Sequence, residues 1–315
     1  MEEDGVLLET VQKQADCNVC HEGPVVYHRV YSGEKLCRKC FIKTFEKRVI
    51  RTIGRYGLLR PDDRIAVAVS GGKDSLSLLH VLKKLEKNFP RASLFTVTVD
   101  EGIPGYRDEA IEYVVETTQR LNVPLVKTSF EELFGMTLTK MISTSVFRES
   151  GLAACTVCGP LRRRAINIAA KKAGATVIAT AHTLDDIVQT YFLKVFRGEL
   201  GSSDVGLRSE GPVIPRVAPF RLTPEREVVF YAYLRNIPFQ SHVCPNAAEA
   251  MRNPIRQFLA EFEERHPGSL FAALRSFEKA TRTTPKNLHY CRTCGEPTSR
   301  ETCRVCELLT SLRIS

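Results

Sequence analysis

The sequence contains no long apolar run. No stretch of its 315 residues has the uninterrupted apolar length that a membrane-spanning helix requires. Residues 1–16 are acidic and mixed, and they lack the apolar segment of a secretory signal. We therefore expect a soluble protein of the cytoplasm with no membrane partner. Hydrophobic residues make up 43% of the chain, which excludes wholesale disorder and supports one sizeable packed domain with small appended modules.

The cysteines lack the secretory context in which disulfides form, and their spacing suits metal binding. Eight of the eleven fall into two quartets, each made of two CxxC pairs. The quartets are Cys17, Cys20, Cys37 and Cys40, and Cys291, Cys294, Cys303 and Cys306. A CxxC turn directs two sulfurs at one point, and two such turns complete a tetrahedron around Zn²⁺. The sequence therefore predicts two structural zinc modules.

Three cysteines lie outside the quartets: Cys155, Cys158 and Cys244. Cys155 and Cys158 form a third CxxC that has no partner pair. Spacing alone leaves three interpretations open. They are a redox pair beside a buried bystander, a zinc site completed by a histidine such as His242, and three ligands of a [4Fe–4S] cluster with one open iron.

Acidic residues are in the minority, with 36 against 45 Lys and Arg, which gives a formal charge of +9. Two zinc tetrathiolate sites would reduce that charge to about +5, so local charge is the better guide. The basic residues form two clusters: nine with a single acid between Lys35 and Arg60, and Arg162, Arg163, Arg164, Lys171 and Lys172. A single basic run is most often a solvated helix face. Two clusters beside other motifs favour binding of an RNA backbone.

Apolar strand-like segments alternate with helical periodicities in the middle of the chain. The predicted strands are residues 64–69, 93–99, 124–128, 176–180 and 237–243. The predicted helices are residues 38–56, 76–85, 106–121, 161–173, 187–197, 225–235, 253–265 and 269–282, with a loop at 198–211. This alternation predicts an α/β fold with a doubly wound parallel sheet. The predicted domains are a zinc finger with a basic helix (1–60), the α/β domain (61–285) and a second zinc finger (286–315).

The motif Ser70-Gly71-Gly72-Lys73-Asp74-Ser75 directly follows the first predicted strand of the sheet. It lacks the spacing of both the Walker A loop and the GxGxxG fingerprint. Adjacent glycines let a backbone approach a phosphate closely. Backbone N–H groups and serine hydroxyls can then donate to the phosphate at the positive end of the following helix. The motif therefore predicts a phosphate-binding loop.

Three further polar side chains follow predicted strand ends, namely Asp100, His182 and Cys244. Because the carboxyl ends of parallel strands meet at one edge of the sheet, we expect these side chains around the phosphate loop in one active site. Asp186 lies one helical turn beyond His182 and can hold Mg²⁺ against nucleotide phosphates. Asp185 fits better as a charge that the helix dipole favours.

The SGGKDS motif after a buried strand resembles the PP-loop of ATP pyrophosphatases, which cleave ATP to AMP and pyrophosphate. The whole pattern also includes terminal CxxC pairs, a lone CxxC, the segment Ala181-His182-Thr183-Leu184-Asp185-Asp186 and a distant single cysteine. This pattern resembles the TtuA-type tRNA 2-thiouridine synthetases over nearly the full chain. The related 2-thiocytidine enzymes generally lack both zinc modules, which favours uridine as the target base.

The resemblance implies roles for particular residues. The ATP phosphates would be bound by Ser70, Gly71, Gly72, Asp74 and Ser75, with Lys73, Asp100 and His182 as further candidates around the nucleotide. Asp186 matches a catalytic acid associated with Mg²⁺. Cys155, Cys158 and Cys244 match the ligands of the [4Fe–4S] cluster. Arg162 matches a basic residue that relatives can carry as Lys, so proton transfer by Arg162 is not expected, because Arg stays charged.

The implied reaction is the ATP-dependent 2-thiolation of a tRNA uridine. The C2 oxygen is adenylated, pyrophosphate leaves, and sulfur then replaces the oxygen with release of AMP. The implied partners are tRNA, a second copy of the chain, and a sulfur donor, which is a thiocarboxylated ubiquitin-like protein or free sulfide. The wobble uridine and the T-loop uridine are both candidate targets.

Four alternatives follow from the same residues. They are a tRNA 2-thiocytidine synthetase, a thiolation enzyme that carries a persulfide on Cys155 or Cys158 without a cluster, a small-molecule ATP pyrophosphatase or amide synthetase, and a non-enzymatic RNA-binding zinc protein. The phosphate loop argues against the last of these.

Overall fold

The computed structural model describes residues 16–199, 206–247, 252–281 and 288–314. The chain forms two compact units that divide between Thr44 and Phe45, within the first helix. The predicted division at residues 60 and 285 stays a prediction. None of the helices in the described ranges combines the length and apolarity required to span a bilayer.

The first unit is built on a short hairpin. Its elements are β1 (Tyr27–Arg29), a 3-10 turn (Val30–Ser32), β2 (Glu34–Leu36) and the start of α1 (Arg38–Tyr56). The antiparallel strands are joined through Gly33, whose φ of +70° suits glycine. Buried Arg29 forms a 2.6 Å ion pair with Glu34 across the hairpin, which satisfies a charge that would otherwise be costly to bury.

The second unit alternates strands and helices. Its first half contains β3 (Arg64–Ala68), α2 (Lys73–Glu86), β4 (Ser93–Asp100), α3 (Arg107–Leu121), β5 (Leu125–Ser129), α4 (Phe130–Phe134), α5 (Leu138–Ser143), α6 (Ser145–Glu149) and α7 (Ala154–Lys172). Its second half contains β6 (Val177–Ala179), α8 (Leu184–Phe196), β7 (Arg216–Val217), α9 (Glu225–Leu234), α10 (Arg252–Arg265), α11 (Ser269–Ala280), β8 (His289–Tyr290), β9 (Pro297–Thr298) and α12 (Arg304–Ser311).

Five strands form one parallel sheet in the order β5-β4-β3-β6-β7. The central strand β3 has neighbours on both sides, and the chain turns outward from it in two directions. This is the doubly wound arrangement that the alternation of strands and helices predicts, and it places the carboxyl end of β3 at the switch point where such sheets bind ligands.

The predicted fifth strand at residues 237–243 is wrong. The fifth strand is β7, a two-residue edge strand between Pro215 and Pro219, and residues 237–243 pair with no strand in the described parts of the chain. Pro238 has no N–H to offer a ladder, and Val243 is 79% exposed. The segment is instead held by the Gln240 N–H, which donates to the Gly71 carbonyl oxygen at 3.0 Å, and by the Ile237 N–H, which donates to the Ala232 carbonyl oxygen at 3.0 Å.

Two further helical features differ from the sequence-based expectation. Helix α7 begins at Ala154, so that the lone CxxC lies in its first turns and not before it, with Pro160 accommodated inside the helix. The three short helices α4 to α6 fill a region without predicted elements. The N-cap residues of these helices are Ser129, Thr137 and Thr144. The hydroxyl of each accepts a backbone N–H from the first turn of its helix.

A hydrophobic cluster joins α7 to the C-terminal helix α12. Leu161 and Val157 of α7 and Leu308 and Leu312 of α12 are all buried in this cluster, together with Cys158. The C-terminal module is therefore packed directly on the helix that carries the lone CxxC.

We expect Leu308→Ala to lower the free energy of unfolding by about 2–5 kcal/mol, because it leaves a cavity between α12 and α7. Urea unfolding followed by far-UV circular dichroism measures this change. Thr310→Ala, on the exposed face of the same helix, is the matched control and should change stability by less than about 0.5 kcal/mol. Equal losses in both variants would contradict the packing described above.

Candidate functional site

The phosphate loop leaves the carboxyl end of β3 and enters α2 at Lys73. Gly71 has a φ of +91°, and a Cβ at this position would lie 2.3 Å from the carbonyl oxygen of Ala110 in α3. Only glycine therefore fits there. Ser75 closes the loop, since its Oγ accepts the Ser70 N–H at 3.1 Å and donates to the Gly72 carbonyl oxygen at 3.0 Å.

The charged residues of the loop are anchored at the start of α9. The Lys73 ammonium donates to Asp74 Oδ2 at 3.0 Å and to Glu225 Oε1 at 2.7 Å. Burial raises the pKa of Asp74 to about 6, although Lys73 opposes the shift. Asp74 Oδ1 is buried and accepts no hydrogen bond from the described residues. A buried carboxylate oxygen of this kind fits a cation bound with nucleotide phosphates.

Asp186 lies in the first turn of α8, where it forms a capping box. Its Oδ2 accepts the Thr183 N–H at 3.1 Å, and the Thr183 hydroxyl accepts the Asp186 N–H at 3.3 Å. Its Oδ1 lies 3.5 Å from Arg252 Nη1. Asp186 is near enough to Asp74 to contribute to the raised pKa of that carboxyl. One oxygen of Asp186 is thus committed to the helix cap, and the other lies beside the Arg252 guanidinium.

His182 follows β6, and its Nδ1 lies 2.9 Å from the Thr180 hydroxyl. Burial lowers the pKa of His182; Asp186 opposes this, and Arg252, Arg216 and Arg163 add to it. Asp185 joins α8 to α9, because its Oδ2 accepts the Glu225 N–H at 2.7 Å, and burial raises its pKa to about 6. Asp100, by contrast, accepts the Gly102 N–H at 2.8 Å and stabilises the turn after β4.

The central cysteines meet at the N-terminal end of α7. Cys158 is buried, Cys155 is exposed, and Cys244 packs against the same hydrophobic cluster. The Cys155 thiol donates to the carbonyl oxygen of Asn246 at 3.5 Å, which holds the Cys244 loop beside the helix. Burial raises the pKa of Cys158 to about 11; Arg162 opposes the shift, and Glu101, Cys155 and Cys244 reinforce it.

The three central thiols do not converge as tightly as the quartets do. In each quartet the four sulfurs lie within 4.8 Å of one another, and within the described ranges only the two quartets form such a group. A cluster places each thiolate on a different iron, so its ligands stay farther apart than those of one metal ion. The wider separation of Cys155, Cys158 and Cys244 does not match the arrangement around one zinc ion, and their role as cluster ligands stays a prediction.

The quartets fit a tetrahedral metal ion. The sulfurs of Cys20 and Cys37, and likewise those of Cys294 and Cys303, are 3.7 Å apart. Four sulfurs at about 2.3 Å from Zn²⁺ would be about 3.8 Å from one another. The Cys303 N–H, which donates to Cys291 Sγ at 3.3 Å, lowers the pKa of Cys291 to about 6 and so favours the thiolate that a metal needs.

Two of the five residues in the basic cluster on α7, Arg162 and Arg164, make close side-chain contacts within the protein. Arg162 Nη2 donates to Cys158 Sγ at 3.3 Å, and its Nε lies 2.5 Å from Glu101. Arg164 Nη2 donates to Cys294 Sγ at 2.8 Å and also pairs with Glu296. Arg163 lies between these two arginines in sequence, and its guanidinium has no hydrogen-bond partner among the residues that the structure describes. The binding of RNA by this cluster therefore stays a prediction. The contacts of Arg162 and Arg164 within the protein leave fewer of its cations available to bind phosphate.

Four contributors to the site were not predicted: Glu101, Arg107, Glu225 and Arg252. Glu101 directly follows Asp100 past the end of β4, so its position in sequence carried a signal that could have found it. The other three are brought in by α3, α9 and α10, and nothing in the local sequence marks them.

Comparison with known proteins identifies the family. Residues 42–263 match the PP-loop domain family. Cytoplasmic tRNA 2-thiolation protein 1 of Bos taurus is 37% identical over 306 residues, which cover 94% of this chain and 87% of that protein. The chain belongs to the tRNA 2-thiolation family of PP-loop proteins. The predicted kinship with tRNA-thiolating PP-loop enzymes and the predicted α/β fold are confirmed.

Two archaeal members of the tRNA 2-thiolation family extend the comparison. The tRNA 2-thiolation protein NcsA of Haloferax volcanii is 33% identical, covering 94% of this chain and 99% of that protein. The solved structure of the U34-tRNA thiolase NcsA from Methanococcus maripaludis, with its [4Fe–4S] cluster, superposes with a TM-score of 0.81 at 27% identity. It covers 94% of this chain and 96% of that one.

We expect Gly71→Ala to weaken ATP binding at least tenfold and to lower stability by about 1–3 kcal/mol, because it combines a strained φ with a clash against Ala110. Gly72→Ala is the matched variant, since its Cβ would meet Ser70 Oγ at an ordinary 3.6 Å. Gly72→Ala should unfold like the wild type. Isothermal titration with ATP and thermal unfolding measure the two effects. Unchanged stability of Gly71→Ala would contradict the close approach of the loop to α3.

Proposed function

We propose that this chain is an ATP-dependent tRNA sulfurtransferase that converts a uridine to 2-thiouridine. The supporting observation is the juxtaposition of the phosphate loop at the end of β3 with three non-quartet cysteines on α7 and the Cys244 loop. An adenylating enzyme needs the first feature, and a sulfur-transferring one needs the second. The wobble uridine is the proposed target, since the solved relative is described as a U34-tRNA thiolase.

In the first step the uridine C2 oxygen attacks the α-phosphorus of ATP. The bond between that phosphorus and the bridging oxygen breaks, pyrophosphate leaves, and the base becomes adenylated at O2. The N–H groups at the start of α2 and the Ser70 and Ser75 hydroxyls would stabilise the charge on the phosphates. Mg²⁺ held by Asp186 and Asp74 would neutralise further charge, which fits the buried free oxygen of Asp74.

In the second step a sulfur nucleophile attacks C2, and the bond from C2 to the adenylate oxygen breaks with release of AMP. A [4Fe–4S] cluster on Cys155, Cys158 and Cys244 would supply an iron with an open position for sulfide. Arg162 would hold the Cys158 side of the site in place, since its guanidinium contacts both that sulfur and Glu101. The target base must leave its stack to reach this site.

Nucleoside mass spectrometry tests the proposal. Anaerobic incubation of the iron-reconstituted chain with unmodified tRNA, Mg-ATP and sulfide should give 2-thiouridine at the wobble position. Cys244→Ser and Asp186→Asn should each reduce the product by about a hundredfold or more, because they remove a cluster ligand and a nucleotide-side acid. Asp62→Asn, at an exposed acid outside the site, is the matched control and should retain full activity.

Further measurements in the same assay identify the sulfur donor and distinguish the alternative functions. Replacing sulfide by a thiocarboxylated ubiquitin-like carrier shows which donor the chain uses. AMP formation that tRNA does not stimulate, with no thiolated nucleoside from either donor, would instead support a small-molecule ATP pyrophosphatase. Thiolation by a chain that contains no iron or acid-labile sulfide would support the persulfide alternative. Thiolated cytidine would support the 2-thiocytidine synthetase.

The metal in the quartets is proposed to be zinc. Elemental analysis of the purified chain should find about two zinc ions per chain, one for each quartet. Cys303→Ser should reduce this content to about one, whereas Ser299→Ala, exposed in the same module, should leave it unchanged. An unchanged zinc content in Cys303→Ser would remove the C-terminal quartet as a zinc site. The predicted homodimer stays a prediction, which light scattering of the holo chain would check.

A further inference from the structure

A buried carboxylate lies between two arginines at the carboxyl end of β4. Glu101 is 2% exposed, and its Oε2 and Oε1 lie 2.6 Å from Arg107 Nε and 2.5 Å from Arg162 Nε. Arg107 is buried with Glu101, whereas the Arg162 side chain is 43% exposed, so that two cations face one buried anion. A buried network of ion pairs stabilises a protein no better than apolar packing of similar volume does. The presence of this network beside the phosphate loop therefore points to a role other than stability.

Arg107, on one side of Glu101, is hydrogen-bonded to the phosphate loop. Arg107 is the first residue of α3 and is 4% exposed. Its Nη1 donates to the Ser70 carbonyl oxygen at 2.7 Å, and its Nη2 donates to the Val99 carbonyl oxygen at 2.6 Å. One guanidinium therefore ties together the ends of β3 and β4, one residue before Gly71.

The Arg162 end of the network reaches the cysteine site. Arg162 Nη2 donates to Cys158 Sγ at 3.3 Å. Ser70, Glu101, Arg107 and Arg162 also line one small cavity at this edge of the sheet. An unbroken series of contacts thus runs from the Ser70 carbonyl through Arg107, Glu101 and Arg162 to the sulfur of Cys158.

We propose that Glu101 and Arg107 are positioning residues that couple the phosphate loop to the Cys158 site. The inference rests on the proposed function, since it assigns the two ends to adenylation and to sulfur transfer. Both steps act on the C2 carbonyl group of the base, the first at its oxygen and the second at its carbon. The phosphate loop and the Cys158 site must therefore be held at a fixed distance from each other. Misplacement by about 1 Å can cost about a hundredfold in rate. The two contacts with Glu101 are short ion pairs, and the hydrogen bonds of Arg107 and Arg162 at the two ends add direction to the network.

Two variants and one control test the coupling. Glu101→Gln keeps the shape and removes the charge that both arginines face. Arg107→Lys keeps a cation but cannot donate to the Ser70 and Val99 carbonyls together. Asp63→Asn is the matched control, because Asp63 is a carboxylate 3% exposed in the same unit and forms two hydrogen bonds with Arg208. Asp63 precedes β3 and so lies at the opposite end of that strand from the phosphate loop.

The first readout uses the iron-free chain and a fluorescent ATP analogue. Arg107→Lys should raise the dissociation constant at least about fivefold, and Asp63→Asn less than twofold, although both lose a buried ion-pair geometry. Equal effects in these two variants would overturn the proposal, because they would reduce Arg107 to a general stabilising residue.

The second readout is the visible circular dichroism of the iron-reconstituted chain during titration with ATP. Nucleotide should change the spectrum of the wild type and of Asp63→Asn. In Glu101→Gln the change should be lost while ATP still binds. If Glu101→Gln does not fold, Arg107→Lys takes its place in this titration. A wild-type spectrum unaffected by ATP, or a full response in the folded variant, would overturn the coupling.

The thiolation assay separates this failure from failure of the proposed function. A wild-type spectrum that does not respond to ATP, together with intact 2-thiouridine formation by the wild type, would reject only the network. Absence of 2-thiouridine in the wild type, with the spectral response present, would reject only the assigned reaction.

Discussion

Gly71 approaches helix α3 so closely that the Ala110 carbonyl oxygen occupies the space of any side chain at that position. The same residue accepts the N–H of Gln240, which fastens the extended segment that leads to Cys244. Further along this segment His242 lies 2.9 Å from Glu109 of α3. The backbone around one glycine thus sets both the phosphate loop and the approach of the third cysteine, so the nucleotide and sulfur sites share one point of reference.

Helix α7 positions the other two central cysteines. Its first turns carry Cys155 and Cys158, its middle packs on α12, and Arg164 contacts Cys294 of the C-terminal quartet. A metal-bound tetrathiolate carries net negative charge, which a donated N–H from arginine stabilises. Cys158 receives the same kind of contact from Arg162. Arg162 and Arg164 therefore contact two different groups of cysteines, and the C-terminal module packs on the helix that carries Cys155 and Cys158.

The features that the sequence predicted are those with local signals. A β-branched run before SGGKDS and the CxxC spacings are short-range patterns, and both appear in the structure as expected. The prediction of a strand at residues 237–243 was wrong, because an extended apolar segment has the same local sequence pattern whether or not it pairs with a neighbouring strand. The Glu101 network was missed since it joins β4, α3 and α7, and only the fold brings these together. The contacts that Arg162 and Arg164 make within the protein were missed for the same reason, because Glu101 and Cys294 are distant from α7 in sequence.

The placement of Arg162 also limits what it can contribute to catalysis. Partial burial disfavours the charge on Arg162, but Glu101 and the Cys158 sulfur raise the pKa of this guanidinium above its ordinary value. An arginine in that state does not release a proton in the physiological range. Its role is therefore electrostatic, and a lysine at the same place would supply charge without the paired donors that reach Glu101 and Cys158 together. The direct consequence is that any proton moved during thiolation must pass through another group.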